Sequence, residues 1–124
     1  MILGIGTDLM EIPRIAKTVS RYGDHFLHRV FTPGEIAYCN SKRNAAESYA
    51  SRFAAKEAAA KALGTGISRG VSWREFEVTR QPGKRPEIVF HGRAAQIAKN
   101  LGVTHAALSL THSRDFAMAI VILE

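Results

Sequence analysis

The feature that most restricts what this chain can become is the alanine-rich run between Asn44 and Gly64. Alanine gives up no side-chain entropy on entering a helix, so a run of it is committed to that state. Asn44-Ala45-Ala46-Glu47 supplies an N-terminal signal and Gly64 a stop, which predicts the longest helix of the chain. With Phe53 set at zero on a wheel of about 100° per residue, Tyr49, Ala60, Ala46 and Glu57 fall within roughly 40° of it. Lys56 and Lys61 lie on opposite borders of that stripe, roughly 60° and 80° away. Glu57 therefore sits in an apolar face, where a carboxylate must be paired, hydrogen-bonded or bound to a cation. The plainer alternative is an i to i+4 ion pair with Lys61 on an exposed helix.

Residues 2 to 12, ILGIGTDLMEI, alternate as a buried strand does. Leu3, Ile5, Thr7 and Leu9 share one face; Gly4, Gly6 and Asp8 share the other. The glycines leave room for close approach of a backbone or ligand, and a carboxylate follows them on that bare track. Pro13 suits the start of a helix that Gly23 ends after Tyr22, with Ile12, Ile15, Val19 and Tyr22 inward. Arg14, Lys17 and Arg21 form a basic stripe on its other side. Thr32-Pro33-Gly34-Glu35 reads as a capping box that opens a short helix through about Asn40.

Beyond Gly64 the hydrophobic period changes to two. Phe76 and Val78, then Ile88 and Phe90, predict two strands joined by the Gln81 to Pro86 loop. Residues 93 to 101 predict a helix with Ala94, Ile97, Ala98 and Leu101 inward, ended by Gly102. Residues 104 to 112 and 116 to 123 read as an antiparallel hairpin. Helices mainly first and strands mainly last predict an α+β fold in one domain, residues 1 to 124: an antiparallel sheet packed against a long helix and shorter helices.

The 17 Lys and Arg against 11 Asp and Glu give a net charge of +6, which selects for acidic partners without naming one. A nucleic-acid-binding module would need aromatics interleaved with the basic residues on one surface. Here the aromatics keep core periods, so we expect no nucleic acid. No apolar run approaches the roughly 18 residues of a membrane span, and no basic segment precedes residues 1 to 5, so no membrane or export signal is expected. Cys39, the only cysteine, excludes an internal disulfide, suits the reducing cytosol, and reads as a small buried residue. His25, His28, His91 and His105 have no ligand spacing.

Two acids from separate elements, Asp8 and Glu57, with lysines beside one of them, suit a hard cation and an anionic ligand. Mg²⁺ typically takes one or two carboxylates and completes its shell with water and phosphate oxygens. A small Mg²⁺ enzyme acting on free nucleotides or isoprenoid diphosphates would use the same parts.

Ile5-Gly6-Thr7-Asp8, the segment Arg52-Phe53-Ala54-Ala55-Lys56-Glu57-Ala58-Ala59-Ala60-Lys61-Ala62-Leu63-Gly64-Thr65-Gly66, and Ser109-Leu110-Thr111-His112, in that order, closely resemble the phosphopantetheinyl transferases. The short chain looks like the holo-acyl-carrier-protein synthase branch of that family. Leu9-Met10, where isoleucine and valine are common, is a mild departure.

The resemblance implies transfer of the 4'-phosphopantetheine group of coenzyme A to a serine of apo-acyl carrier protein, in support of fatty acid biosynthesis. It implies that Asp8 and Glu57 bind Mg²⁺ with the diphosphate and that Lys61 contacts phosphate. The base is then Glu57 or a water on the metal. His112 is assigned to coenzyme A phosphate binding or proton transfer. Arg52 is either a ligand of the 3'-phosphate or a solvated helix arginine. The Gly83-Lys84-Arg85-Pro86 loop resembles the family's nucleotide loop, or is a plain hairpin turn. An acidic acyl carrier protein gives the stripe of Arg14, Lys17 and Arg21 a partner, with Phe26 and Arg29 extending the docking surface. Members of this branch are typically trimers with active sites between subunits.

Overall fold

The computed structural model describes residues Met1 to Glu124. The chain runs β1 (Gly4–Glu11), α1 (Ile12–Tyr22), α2 (Asp24–Val30), α3 (Pro33–Asn40), α4 (Ala45–Leu63), a 3₁₀ turn (Trp73–Glu75), β2 (Phe76–Thr79), β3 (Glu87–Phe90), α5 (Gly92–Leu101), β4 (Ala106–His112) and β5 (Phe116–Leu123). β1, β5 and β4 form one antiparallel sheet in that order, and β2 pairs antiparallel with β3 in a second. The architecture is thus α+β with antiparallel sheets around a long helix.

α4 begins and ends where its sequence signals stand. The Asn44 side-chain oxygen accepts from the Glu47 N–H at 3.2 Å, and Gly64 closes the helix in the left-handed region at φ 84°. The Thr32 to Glu35 capping box is also formed: Thr32 N–H donates to Glu35 Oε1 at 2.9 Å, and Glu35 N–H to Thr32 Oγ1 at 3.3 Å.

The single apolar stripe expected for α4 is an underestimate. Ala54, Ala55, Ala58, Ala59 and Ala60 are all fully buried, and so is Lys56, which the wheel placed on a border. Alanine is small enough for elements to close on the helix from several sides. The three-stranded sheet covers one side, while α1, α3 and β2 occupy others.

The glycine track of β1 decides how the sheet meets α4. A Cβ at Gly4 would overlap the Ala62 carbonyl oxygen, and one at Gly6 would overlap the Ala58 carbonyl oxygen. Strand backbone therefore lies directly on helix backbone, an approach only glycine permits. The buried face of β1 is accordingly the glycine face. Leu3, Ile5 and Leu9, expected in a buried strand, are 42%, 64% and 60% exposed. They continue across the outer sheet face, where Ile5 pairs with Ile122 and Leu9 with Met118.

Three further differences are local. α2 was not foreseen; Gly23, at φ 55°, turns the chain so that Leu27 and Val30 are buried. Tyr22 and Leu101, both assigned inward, are exposed because each is the last residue of its helix, past the packing contact. Cys39 is fully buried as expected, and burial pushes its thiol up to about 12. No helix is long and apolar enough to cross a membrane.

The backbone contact yields a test. Gly6→Ala should cost about 3 kcal/mol or more, since the added methyl meets a carbonyl that cannot move without shifting α4. Urea denaturation measures this; a loss under about 1 kcal/mol would mean that strand and helix stand further apart.

Candidate functional site

β1 delivers Asp8 to the α4 side of the sheet, two pairs beyond Gly6. Its side chain is 15% exposed, and Oδ1 accepts from Lys61 Nζ at 3.1 Å. Lys61 Nζ also donates to the Thr7 carbonyl at 3.1 Å, so the i to i+4 pair with Glu57 is not the one Lys61 makes. Asp8 Oδ2 is buried and has no hydrogen-bond partner. Glu57 stands one turn before Lys61, half-buried beside Phe53, and its Oε1 accepts from the Trp73 indole N–H at 3.1 Å.

Asp8 and Glu57 line one cavity of about 440 Å³, with Arg14, Phe26 and Phe53 among its other walls. An orphaned carboxylate oxygen, a second carboxylate on the same cavity and a neighbouring lysine fit a hard cation that carries an anionic ligand. No third His, Cys, Asp or Glu completes a metal cluster. Two carboxylates are within the number that Mg²⁺ typically takes from a protein, the rest of its shell being water and phosphate oxygens.

The residue before Glu57 on α4 makes a buried polar contact. Lys56 Nζ donates to Glu35 Oε1 at 2.7 Å, to the Phe76 carbonyl at 2.6 Å and to the Trp73 carbonyl at 3.1 Å. Glu35 Oε2 accepts from the Val78 N–H at 2.8 Å. Burial lowers the Lys56 pKa, and the Glu35 carboxylate opposes that shift. Both side chains are completely enclosed.

The other candidate residues lie apart from the Asp8–Glu57 cavity. Arg52 is 5% exposed, with its guanidinium 4.1 Å from the Tyr38 ring centroid and its Nε without a partner. It is therefore not the solvated helix arginine that the sequence allowed. Tyr38, together with Lys42, Arg80, Pro82 and Gly83, lines a second cavity of about 420 Å³. Pro86 lines a third, of about 430 Å³, with Arg85 and His105. His112 ends β4, 54% exposed, with Nε2 3.3 Å from Glu47 Oε1. Glu47 precedes Glu57 by ten residues in α4, roughly 15 Å of helix. None of these three cavities brings His112, Arg52 or the Gly83 loop together with Asp8 and Glu57.

Of the residues expected to dock an acidic partner, Arg14 and Phe26 line the first cavity. Arg14, Lys17 and Arg21 are exposed along α1, and Arg14 forms part of the cavity wall. Phe26, in the same wall, stacks on Phe53 with ring centroids 6.5 Å apart. Arg29 is exposed, with its guanidinium 5.9 Å from the Trp73 ring centroid. Trp73 and Tyr38 are the neighbours that sequence reasoning missed. Ser72-Trp73-Arg74-Glu75 has the Ser-x-x-Glu spacing of a capping box, which could have located the turn but not the indole contact.

A sequence profile described as the 4'-phosphopantetheinyl transferase superfamily matches residues 4 to 121. Among curated relatives, a holo-acyl-carrier-protein synthase of Koribacter versatilis is 59% identical over 124 residues, covering 100% of this chain and 99% of that protein. The crystal structure of holo-acyl-carrier-protein synthase from Neisseria meningitidis superposes with a TM-score of 0.90 at 35% identity, covering 100% of this chain and 99% of the other. The Helicobacter pylori enzyme of the same name, solved in complex with coenzyme A, gives a TM-score of 0.85 at 32% identity, covering 97% of this chain and 99% of the other.

Proposed function

Because the chain belongs to the 4'-phosphopantetheinyl transferase superfamily, we propose that it moves 4'-phosphopantetheine from coenzyme A to a serine hydroxyl of apo-acyl carrier protein. The products are holo-acyl carrier protein and adenosine 3',5'-bisphosphate, and the setting is cytosolic fatty acid synthesis. The observation that carries the reading is the buried, unpartnered Oδ2 of Asp8 on the same cavity as Glu57, with Lys61 beside it.

The serine oxygen attacks the β-phosphorus, a new P–O bond forms, and the bond to the oxygen bridging the α-phosphate breaks. Asp8 and Glu57 would hold a Mg²⁺ whose charge, when it is bound, offsets that of the diphosphate. Lys61 exchanges its tie to Asp8 for a phosphate oxygen and stabilises charge that builds on the leaving group. The serine proton passes to Glu57 or to a water in this cavity. Glu57 Oε1 is occupied by the indole, and Oε2 remains for the ligand.

Coenzyme A phosphates are assigned to the second, basic cavity. Arg52 with its free Nε, Lys42, Arg80 and the Gly83 to Pro86 loop supply the positive charge and the tight turn. His112 joins this set. The two half-sites stand apart in one chain, and the outer sheet face exposes Leu3, Ile5, Leu9 and Phe116. Both observations support a trimer in which the nucleotide half-site of one subunit meets the carboxylate cavity of its neighbour. The acidic carrier docks on Arg14, Lys17, Arg21, Phe26 and Arg29, where charge attraction speeds encounter.

Incubation with coenzyme A, Mg²⁺ and apo-acyl carrier protein should raise the carrier's mass by one phosphopantetheine. Asp8→Ala or Glu57→Ala should lower that rate by about 100-fold or more without shifting the melting temperature. An unmodified carrier, or near-normal rates for these variants, refutes the assignment. Arg14→Glu with Arg21→Glu should raise the KM for carrier about tenfold and flatten its salt dependence while sparing the KM for coenzyme A. An equal rise in both KM values would place the stripe on the nucleotide. Sedimentation equilibrium should give three chains per particle, and Ile5→Asp should release monomers; a monomeric wild type would remove the shared-site reading.

A further inference from the structure

Lys56 and Glu57 are neighbours on α4, so their side chains leave the helix about 100° apart. Both nevertheless end on one residue. Lys56 Nζ donates to the Trp73 carbonyl at 3.1 Å, and the Trp73 indole Nε1 donates to Glu57 Oε1 at 3.1 Å. The backbone end of this bridge is fixed by the buried pair of Lys56 and Glu35. Its turn is closed by Glu75, whose Oε2 accepts from the Ser72 N–H at 2.9 Å and whose Oε1 accepts from the Ala94 N–H at 2.9 Å. The indole ring itself has Phe53 and Arg29 as neighbours, at 6.3 Å between ring centroids and 5.9 Å from guanidinium to centroid.

We propose that Trp73 is a positioning residue that holds the Glu57 carboxylate in the orientation that binds the cation. The inference rests on the reading of Glu57 as a cation ligand. A glutamate has three side-chain torsions to order each time it binds, and a donor fixed elsewhere in the fold removes much of that cost. The indole suits the task because it only donates and carries no charge. A lysine or arginine there would orient Glu57 equally well but would repel the metal. The contrast with Asp8 is informative: its tie to Lys61 is between opposite charges and must yield when a cation arrives. The indole tie leaves Oε2 free and persists.

Trp73 is the only tryptophan of the chain, so all indole emission comes from this position, and the Glu57 variant separates the contact from the ring's other neighbours. In the wild-type protein with coenzyme A, a Mg²⁺ titration should change the tryptophan emission, and Glu57→Gln should abolish that change. Trp73→Phe keeps a ring beside Phe53 and removes the donor. It should raise the Mg²⁺ concentration for half-maximal transfer about tenfold, with the rate recovering to within about twofold at saturating Mg²⁺. Emission indifferent to Mg²⁺, or an unchanged Mg²⁺ midpoint in a folded Trp73→Phe protein, overturns the role of Trp73. If Trp73→Phe does not fold, the wild-type titration decides. Near-normal transfer by Glu57→Ala would instead remove the cation role of Glu57, a different failure from an inactive Glu57→Ala beside an unaltered Trp73→Phe.

Discussion

The contact between the bare backbones of β1 and α4 underlies the rest of the structure. Gly4 and Gly6 have no side chain to hold the helix away, and Ala58 and Ala62 have little. With the strand pressed onto the helix, Asp8 is carried to the flank of α4, where Lys61 reaches it and Glu57 shares its cavity. The same contact turns Leu3, Ile5 and Leu9 outward. One packing decision thus builds the carboxylate pair and leaves an apolar sheet face that a second copy can cover.

The enclosed Glu35–Lys56 pair has a different function from stability alone. Removing two charges from water costs most of what their attraction returns, so such a pair contributes little beyond what a well-packed apolar pair would. Its value here is directional. Lys56 reaches three acceptors, and Glu35 accepts from the α3 cap, from Lys56 and from the β2 backbone. Three separate segments are thereby referenced to α4. The 3₁₀ turn that presents Trp73 to Glu57 is one of them.

Two basic groups bear on the proposed reaction. One basic group follows α1 to the mouth of the carboxylate cavity, and another surrounds the Gly83 loop with Lys42 and Arg80. The proposed two-substrate reaction would use that arrangement, with the carrier protein and the nucleotide approaching the carboxylates from different directions. Arg52 belongs to the second group, although it is buried. Its stacking on Tyr38 keeps a guanidinium close behind the cavity wall.

Much of the framework was legible locally. The caps at Thr32 and Asn44 and the stop at Gly64 act within a few residues, so their geometry follows from the sequence around them. The hydrophobic period likewise gave the β2–β3 and β4–β5 hairpins. The two acids could be singled out because a carboxylate on a glycine track and another in an aromatic stripe each need a partner, and the fold brings both to one cavity. What the sequence could not convey depends on partners distant along the chain. A helical wheel assumes one buried face, whereas α4 is covered on several sides, and only that enclosure makes Lys56 a core residue. Strand alternation identifies two faces without saying which is inward; the helix backbone chose the glycine face of β1. Trp73 meets Glu57 from 16 positions further along the chain. A hydrogen bond of that range is set by how the elements pack, and no local pattern encodes it.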